Sequence, residues 1–260
     1  MILSLLQRYN RFLPTVVEIL LAVCVAVVLL TGCSGLFDGI YDSPVPDDAI
    51  EQGFVVQEGD GRYTLFLDAR DYDEWMFVDL HRLTVESRPI PTELTGQWDG
   101  VSMWYRYNVQ GTRYNLLEDR RVDAQEEPEC WDFAIHHFDV RTNGGMVLAT
   151  DYTSVDALPV CSADLPLGDF VPDRWTRHQC IVDFSGMFDR NIWYQASMVN
   201  TVLTEWVRMD FSTPPPKYEA SRRVYILRMS DGTMAALHMK SYMSEAGTKG
   251  FLTIDIIYPY

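Results

Sequence analysis

The residues of this chain best suited to chemistry lie in and just after the segment WDFAIHHFDVRTNGG, residues 131–145. Asn143, Gly144 and Gly145 tolerate positive φ, so they predict a sharp turn that presents Met146 at the start of the next segment. A thioether is a soft ligand with no competing proton. Met146 is therefore a candidate metal ligand, although the common role of a methionine is to fill gaps in a core.

The residues before this turn predict the element that positions it. Apolar side chains would fall on both faces of a strand, with Trp131, Phe133 and Ile135 on one and Ala134, Phe138 and Val140 on the other. We therefore predict a single core strand across this stretch, followed by a hairpin partner at residues 146–151.

Four histidines have a simpler interpretation than metal binding. Adjacent residues of a strand point to opposite faces, so His136 and His137 cannot chelate one ion together. We predict that both are hydrogen-bonded in or at the core. His81 and His238 lie in strand-like patterns, and we expect the same structural role for them.

Several other segments also predict strands. Residues 62–80 read as two strands around a short connection, and residues 102–109 as a third. The C-terminal part reads as a three-strand meander, in which Asp231-Gly232 is a strong hairpin signal. The predicted fold class is therefore all-β, with mostly antiparallel sheets and few short helices.

Other segments predict less regular structure. Residues 113–128 are charged and predict a solvated loop or a short exposed helix. Residues 153–179 carry prolines and predict a long loop, whose aromatic and basic end argues for a functional role. Residues 182–187 predict a return to ordered structure after this loop. Apolar residues at helical spacing predict a short amphipathic helix within 197–210.

Composition restricts the classes of function. The formal net charge is −16, with no basic run, which argues against nucleic acid as a partner. No GxSxG, HExxH, P-loop or Rossmann fingerprint occurs, and the scattered histidines and carboxylates have no spacing that requires acid–base catalysis. We therefore do not expect an enzyme.

The N-terminus predicts export and a lipid anchor. Arg8 and Arg11 precede an apolar run that ends in Leu-Thr-Gly-Cys, the pattern of a lipoprotein signal peptide with Cys33 as the lipidated residue. The alternative, a transmembrane anchor, is disfavoured because the apolar run is shorter than the roughly 20 residues of a span. We predict a signal peptide over 1–32, a tether over 33–50 and one domain over 51–260.

The cysteines beyond the export signal are Cys130, Cys161 and Cys180. Three thiols cannot all pair, and a bridge between Cys161 and Cys180 and three free thiols both remain open. The absence of CxxC disfavours a zinc ribbon, and the absence of CxxCH excludes covalent c-type haem attachment.

Seven sequence blocks resemble one family. They are YDSP, WDFAIHHFDVRTNGG, DFSGMF, NTVLTEW, PPPKY, RRVYILRMSDGTMAALHM with SYM soon after, and KGFLTIDIIYP, in this order over roughly residues 41–259. Together they resemble the HmuY family of haem-binding outer-membrane lipoproteins. The resemblance implies an all-β, hand-shaped fold whose protruding loops hold one haem b (iron protoporphyrin IX) non-covalently.

The resemblance also implies which side chains hold the iron. Family members use two axial ligands from separate loops, as pairs of His or pairs of Met. The first lies at or soon after the TNGG turn, where this chain has Met146. The second comes from the following long loop, where His178 is the first candidate and Met187 the alternative. A Met146–His178 pair would depart from both family patterns.

The same long loop offers partners for the rest of a haem. Arg174 and Arg177 flank His178 and could meet the propionates with charge-assisted hydrogen bonds. Trp175 and Phe170 could cover a face of the porphyrin.

The function implied by the resemblance is capture of haem at the cell surface for iron and haem acquisition. The lipoprotein would be anchored in the outer membrane, with release from the surface as a further option. It would pass haem to a TonB-dependent outer-membrane receptor. The alternative is a surface lipoprotein on the same scaffold that binds another tetrapyrrole or a glycan.

Overall fold

The computed structural model describes residues 52–165, 168–210, 217–244 and 247–260, all within the compact unit Val45–Tyr260. The predicted signal peptide, Cys33 and the tether lie outside the described residues. The fold is all-β, as predicted: 52% of the structure is strand and 6% helix, and no described helix reaches seven residues.

The described part of the chain contains seventeen strands. In chain order they are β1 (Gly53–Val56), β2 (Arg62–Asp68), β3 (Glu74–Asp79), β4 (Thr84–Pro89), β5 (Met103–Gln110), β6 (Arg113–Arg121), β7 (Phe133–His136), β8 (Asp139–Thr142), β9 (Met146–Ala149), β10 (Val171–Pro172), β11 (Arg174–Asp183), β12 (Asn191–Val199), β13 (Val207–Asp210), β14 (Lys217–Ala220), β15 (Val224–Arg228), β16 (Met234–Met243) and β17 (Lys249–Ile257). Four 3-10 helices cover Val155–Ala157, Ser162–Asp164, Met187–Asp189 and Thr204–Trp206.

The strands form four antiparallel sheets. The largest has the order β1-β2-β17-β16-β15-β9-β10, two four-stranded sheets have the orders β4-β3-β7-β8 and β11-β12-β5-β6, and β13 pairs with β14. The predicted strands in residues 62–80, at 102–109 and in the C-terminal meander are therefore confirmed as β2, β3, β5 and β15 to β17.

In the sheet β4-β3-β7-β8, strands β3, β7 and β8 are buried on both faces, whereas β4 is largely exposed. Met76 and Val78 of β3 pack in the apolar cluster that includes side chains of the seven-stranded sheet. Trp75 and Phe77 of the same strand pack in a second cluster with side chains of β5, β11 and β12. This alternation follows from the two-residue period of a strand, and it places this sheet between the other two.

The single core strand predicted for residues 131–140 is wrong, because the chain reverses in its middle. β7 and β8 form a hairpin whose last Cα pair is His136 and Asp139. The reversal uses His137 at φ 57°, a conformation that a non-glycine residue rarely adopts. Both strands are buried, so the apolar pattern runs through the turn without a glycine or proline to mark it.

Residues 146–149 form a strand, but its predicted hairpin pairing is wrong. β9 pairs with β15 on one side and β10 on the other, so the chain changes sheets at the turn between β8 and β9. Gly144 has φ 67°, as the predicted turn requires. At Gly145 an added Cβ would lie 2.9 Å from the carbonyl oxygen of Arg228, so close approach of β15 requires glycine.

Three irregular or helical predictions are also wrong. The charged segment 113–128 begins with β6, an exposed strand held by backbone pairing to β5. The predicted helix in 197–210 is the end of β12, a single 3-10 turn and β13. The predicted loop 153–179 contains β10 and the first half of β11. In each case pairing with a neighbouring strand decides the conformation: β6 pairs with β5, β11 with β12 and β13 with β14. The side-chain pattern alone does not reveal that pairing.

Candidate functional site

Met146 opens β9 between two neighbouring strands. Its Cα partners are Pro172 of β10 and Arg228 of β15. The side chain is half-buried. Nη2 of Arg228 donates to Sδ of Met146 at 3.1 Å, and the guanidinium carbon lies 4.4 Å from the ring centroid of Phe170. We call Met146, Phe170 and Arg228 the Met146 site.

The Met146 site combines three kinds of chemistry. The thioether offers a neutral sulfur, the guanidinium offers a positive charge with several N–H donors, and the phenyl ring offers a flat apolar face. Within the described ranges, Arg228 has no carboxylate partner, so its charge is available to an incoming anion. The sequence analysis did not identify Arg228, because only the pairing of β9 with β15 places it opposite Met146.

Asp173 fixes the junction of β10 and β11 beside the turn. Its carboxylate accepts the backbone N–H of Thr142 at 2.6 Å and the hydroxyl of Thr142 at 3.0 Å. It also accepts the side-chain amide of Asn200 at 3.0 Å. Burial raises the pKa of Asp173, while these hydrogen bonds act in the opposite direction. The TNGG turn and the start of β11 are therefore held together by the half-buried carboxylate of Asp173.

His178 lies on β11 and not on a loop. Thr176 pairs with Ser197 and Cys180 with Gln195, so four steps of β11 oppose two steps of β12. His178 is in the middle of the bulge that this mismatch creates. Its exposed ring stacks on Tyr114 at 4.4 Å between centroids.

The structure does not bring His178 to Met146. In the described residues the two side chains have no contact in common: Met146 contacts Arg228, whereas His178 contacts rings of the β5–β6 pair. From Pro172, the partner of Met146, an extended strand advances about 13 Å before it reaches Thr176. The bulge that carries His178 begins only there.

The other predicted site residues surround the bulge or follow it. Arg174 and Trp175 are exposed at the start of β11, and the side chain of Trp175 is 46% accessible. The guanidinium carbon of Arg177 lies 5.3 Å from the ring centroid of Tyr105. Met187 begins a 3-10 helix after β11 and is 46% exposed. Its thioether is therefore accessible to a ligand.

The two adjacent histidines have the predicted structural role. Nε2 of His136 is 3.1 Å from the carbonyl oxygen of Tyr72. Nδ1 of His137 is 3.0 Å from the carbonyl oxygen of Ala69, and its Nε2 contacts the hydroxyls of Tyr72 and Tyr242. Burial lowers the pKa of His137 to about 3. This imidazole is therefore neutral at physiological pH.

His81 was expected to lie in a strand with a structural role in the core, and its position differs from that expectation. Its side chain is half exposed, beyond the end of β3, and its ring nitrogens lie 3.4 Å from Asp132 and 3.5 Å from Asp231. His238 is in β16, as its pattern predicted.

The three cysteines of the described chain are free. Cys130 and Cys161 are exposed, and Cys180 is buried. The bridge between Cys161 and Cys180, which the sequence left open, is therefore not formed. The helices found in the described ranges are all too short to cross a membrane.

Comparison with protein families finds one match. The family model described as HmuY protein matches residues 71–256, which is most of the chain. No curated protein matches the chain significantly.

Solved structures show the same relationship. A Bacteroides fragilis NCTC 9343 protein, named as a lipoprotein, has 36% sequence identity and a TM-score of 0.66 over 83% of this chain and 99% of its own. A Bacteroides vulgatus ATCC 8482 protein, named as an HmuY-like haem-binding protein, has 36% identity and a TM-score of 0.63 over 81% of this chain and 99% of its own. The apo HmuY analogue of Tannerella forsythia, at 22% identity and a TM-score of 0.60 over 81% and 97%, shares the fold.

Proposed function

Because this chain belongs to the HmuY family, we propose that it binds haem b non-covalently and serves in haem and iron acquisition. The observation that supports this proposal most directly is the Met146 site. It sets a half-buried thioether, an arginine and an aromatic ring at the turn where the family resemblance expects the first iron ligand.

Each member of the Met146 site fits one part of a haem. The sulfur of Met146 would be one axial ligand, since a thioether suits ferrous iron and does not lose affinity by protonation. The guanidinium of Arg228 would turn from that sulfur to a propionate and form a charge-assisted pair. Phe170, already beneath the guanidinium, would pack against the porphyrin.

His178 would supply the second iron ligand, with Met187 as the alternative. Both side chains are exposed, so neither needs to leave a packed core to reach a ligand. Joint ligation with Met146 requires the bulge of β11 or the 3-10 helix at Met187–Asp189 to approach β9. Trp175 and Arg174 lie on the same strand as His178 and would move with it. Arg177 would meet a propionate from this side.

The remaining part of the proposal concerns location and delivery. The LTGC pattern at residues 30–33 supports a lipid anchor on Cys33 in the outer membrane, with the binding domain at the cell surface. The haem would pass to a TonB-dependent receptor. A protein with this role needs a ligand site that can both bind and release, and a half-exposed site suits that requirement.

A haem titration tests the proposal. The full-length lipoprotein in detergent is mixed with haemin in air and under dithionite, and the Soret and Q bands are recorded. We expect low-spin bands at one haem per chain. Met146→Ala should weaken binding by at least about tenfold, since even the loss of outer partners of a metal site costs 10–100-fold. Met198→Ala, at another partly exposed methionine, is the matched control.

The same experiment distinguishes the second ligand and the alternative functions. One of His178→Ala and Met187→Ala should convert the low-spin spectrum to high-spin, while the other leaves it unchanged. Equal affinity for metal-free protoporphyrin IX, unaffected by Met146→Ala, would indicate another tetrapyrrole as the ligand. No spectral change in either redox state would refute haem binding and favour a ligand such as a glycan.

A further inference from the structure

A second group of ligand atoms lies in the interior, away from the Met146 site. His136, Asp139 and Cys180 each offer one ligand atom, and the three atoms lie within 4.8 Å of one another. His136 and Asp139 close the β7–β8 hairpin, and Cys180 follows the bulge of β11. The side chains of His136 and Asp139 are 0% and 2% exposed, and Cys180 is fully buried.

Two of these ligand atoms have no hydrogen-bond partner. Nδ1 of His136 and Oδ1 of Asp139 are buried and unpaired. The distance from Nδ1 of His136 to Oδ2 of Asp139 is 3.9 Å, which is too long for a hydrogen bond. Leaving a buried polar group unpaired is destabilising, so a native interior normally satisfies it. Something other than the described side chains is needed to pair these atoms.

The hydrogen bond of the other ring nitrogen prepares His136 to bind a cation. Nε2 lies 3.1 Å from the carbonyl oxygen of Tyr72, which can only accept, so Nε2 carries the proton. Nδ1 then presents a lone pair to the cluster. Metal-binding histidines usually have this arrangement, in which the remote N–H donates to a carbonyl and fixes the tautomer.

The donor set matches zinc in type and in charge, and it supplies three of the four ligands of a tetrahedral ion. Zn²⁺ binds imidazole nitrogen, thiolate sulfur and carboxylate oxygen at about 2.0–2.3 Å, in tetrahedral geometry. Those bond lengths place donors about 3.3–3.8 Å apart, so the present separations need to shrink by only about 1 Å. One thiolate and one carboxylate neutralise Zn²⁺, which a dry interior requires. The nearby Arg141 pairs with Glu127 at 2.8 Å through Nη1, while its Nε and Nη2 have no hydrogen-bond partner among the described residues.

We propose that His136, Asp139 and Cys180 bind one Zn²⁺ ion as a buried structural site, with Nδ1, a carboxylate oxygen and the thiolate as its protein ligands. The site joins the middle sheet to β11, and therefore holds the base of the strand that carries His178. Binding releases the thiol proton of Cys180 to solvent and involves no redox step. The proposal is independent of haem binding.

Metal analysis of the full-length lipoprotein tests the site. The protein is produced in zinc-supplemented medium, purified without chelator in haem-free form, and analysed for zinc and iron by mass spectrometry. We expect about one zinc per chain. Cys180→Ser and Asp139→Asn should each reduce the zinc content by at least about tenfold. Cys130→Ser and Cys161→Ser, at the two exposed thiols, are matched controls that should keep it.

A second measurement uses only the wild-type chain, so its result does not depend on whether the substituted proteins fold. The wild-type chain is unfolded with chelator and refolded with Co²⁺, which replaces Zn²⁺ and reports its ligands optically. We expect a thiolate-to-cobalt charge-transfer band and the visible bands of tetrahedral cobalt, both abolished by excess Zn²⁺. A wild-type protein with less than about 0.1 zinc per chain, no such band and no change in melting temperature on addition of Zn²⁺ would overturn the proposal.

Discussion

The two ends of one short segment, His136 and Met146, present metal-binding atoms to opposite environments. At His136, imidazole, carboxylate and thiol converge where side chains are almost entirely inaccessible. At Met146, a thioether meets an arginine at the edge of β9 and remains half-buried. Ten residues separate the two, and the chain changes sheets between them.

The difference shows how burial divides roles within one motif. A ligand atom enclosed by packed side chains can exchange its partner only when the structure opens locally, so that region suits a permanent structural role. A half-buried ligand atom at the start of a strand can gain and lose a partner without unfolding, so that region suits transient cargo. We therefore expect changes at the buried end to affect stability and changes at the open end to affect binding.

The largest expected effect is on stability, at the buried end. Phe133 of β7 is 0% exposed, and Phe133→Ala should lower the free energy of unfolding by about 3–5 kcal/mol, because it removes a buried ring and leaves a cavity. Phe188→Ala is the matched control, since Phe188 is 83% exposed, and should change stability by less than about 0.5 kcal/mol. Urea unfolding followed by tryptophan fluorescence measures both. Equal losses of unfolding free energy in the two variants would contradict the idea that burial decides which changes affect stability.

The next effect is a pH dependence of the free energy of unfolding, which arises from His137 at the buried end. Burial lowers the pKa of His137 to about 3. Below the unfolded value of about 6.5, the unfolded chain binds this proton and the folded chain does not, so stability falls as pH falls towards about 3. The contribution is about 1.4 kcal/mol per pH unit, or roughly 2–3 kcal/mol between pH 6 and pH 4.

Substitution by asparagine isolates this contribution. Asparagine tolerates the positive φ of position 137, so His137→Asn should remove most of one proton from the pH slope of the unfolding free energy. His178→Asn, at an exposed position, should leave the slope unchanged. Urea unfolding at several pH values between 4 and 7 measures the slopes. An unchanged slope in His137→Asn would show that the buried imidazole does not control acid sensitivity.

The smallest of the three effects concerns the open end. If the proposed haem contacts hold, Arg228→Gln removes the charge that would pair with a propionate and should raise the dissociation constant for haem about tenfold, equivalent to about 1.4 kcal/mol. Haem dimethyl ester lacks the propionate charges, so wild type and Arg228→Gln should bind it alike. A tenfold difference that persists with the ester would mean that Arg228 acts by packing. The unfolding free energy should change little.

Local sequence reasoning reached much of the fold. Alternating apolar residues predicted β2, β3, β5 and β15 to β17, because a strand with at least one buried face carries its own period. It missed β6, whose side chains are all exposed, and misread the β7–β8 turn, where apolar residues continue through the reversal. β6 is held by backbone pairing with β5, and the β7–β8 hairpin reverses within a buried apolar stretch. The alternation of apolar and polar residues therefore reveals neither.

The same limit applies to the candidate site. The TNGG turn that presents Met146 could be predicted, because glycine marks positive φ and close backbone approach. The family resemblance supplied the expectation of haem. Arg228 could not be predicted, since it is 82 residues from Met146 along the chain.

Local periodicity, glycine positions and ordered motifs were sufficient to predict the all-β class, the family and the turn that presents Met146. The identity of neighbouring strands is visible only in the folded domain, where Arg228 contacts Met146, His178 lies on a bulge of β11, and Cys180 meets His136 and Asp139. Strand pairing uses backbone groups that every residue carries. Side-chain identity therefore specifies partners only through the packing of the whole domain.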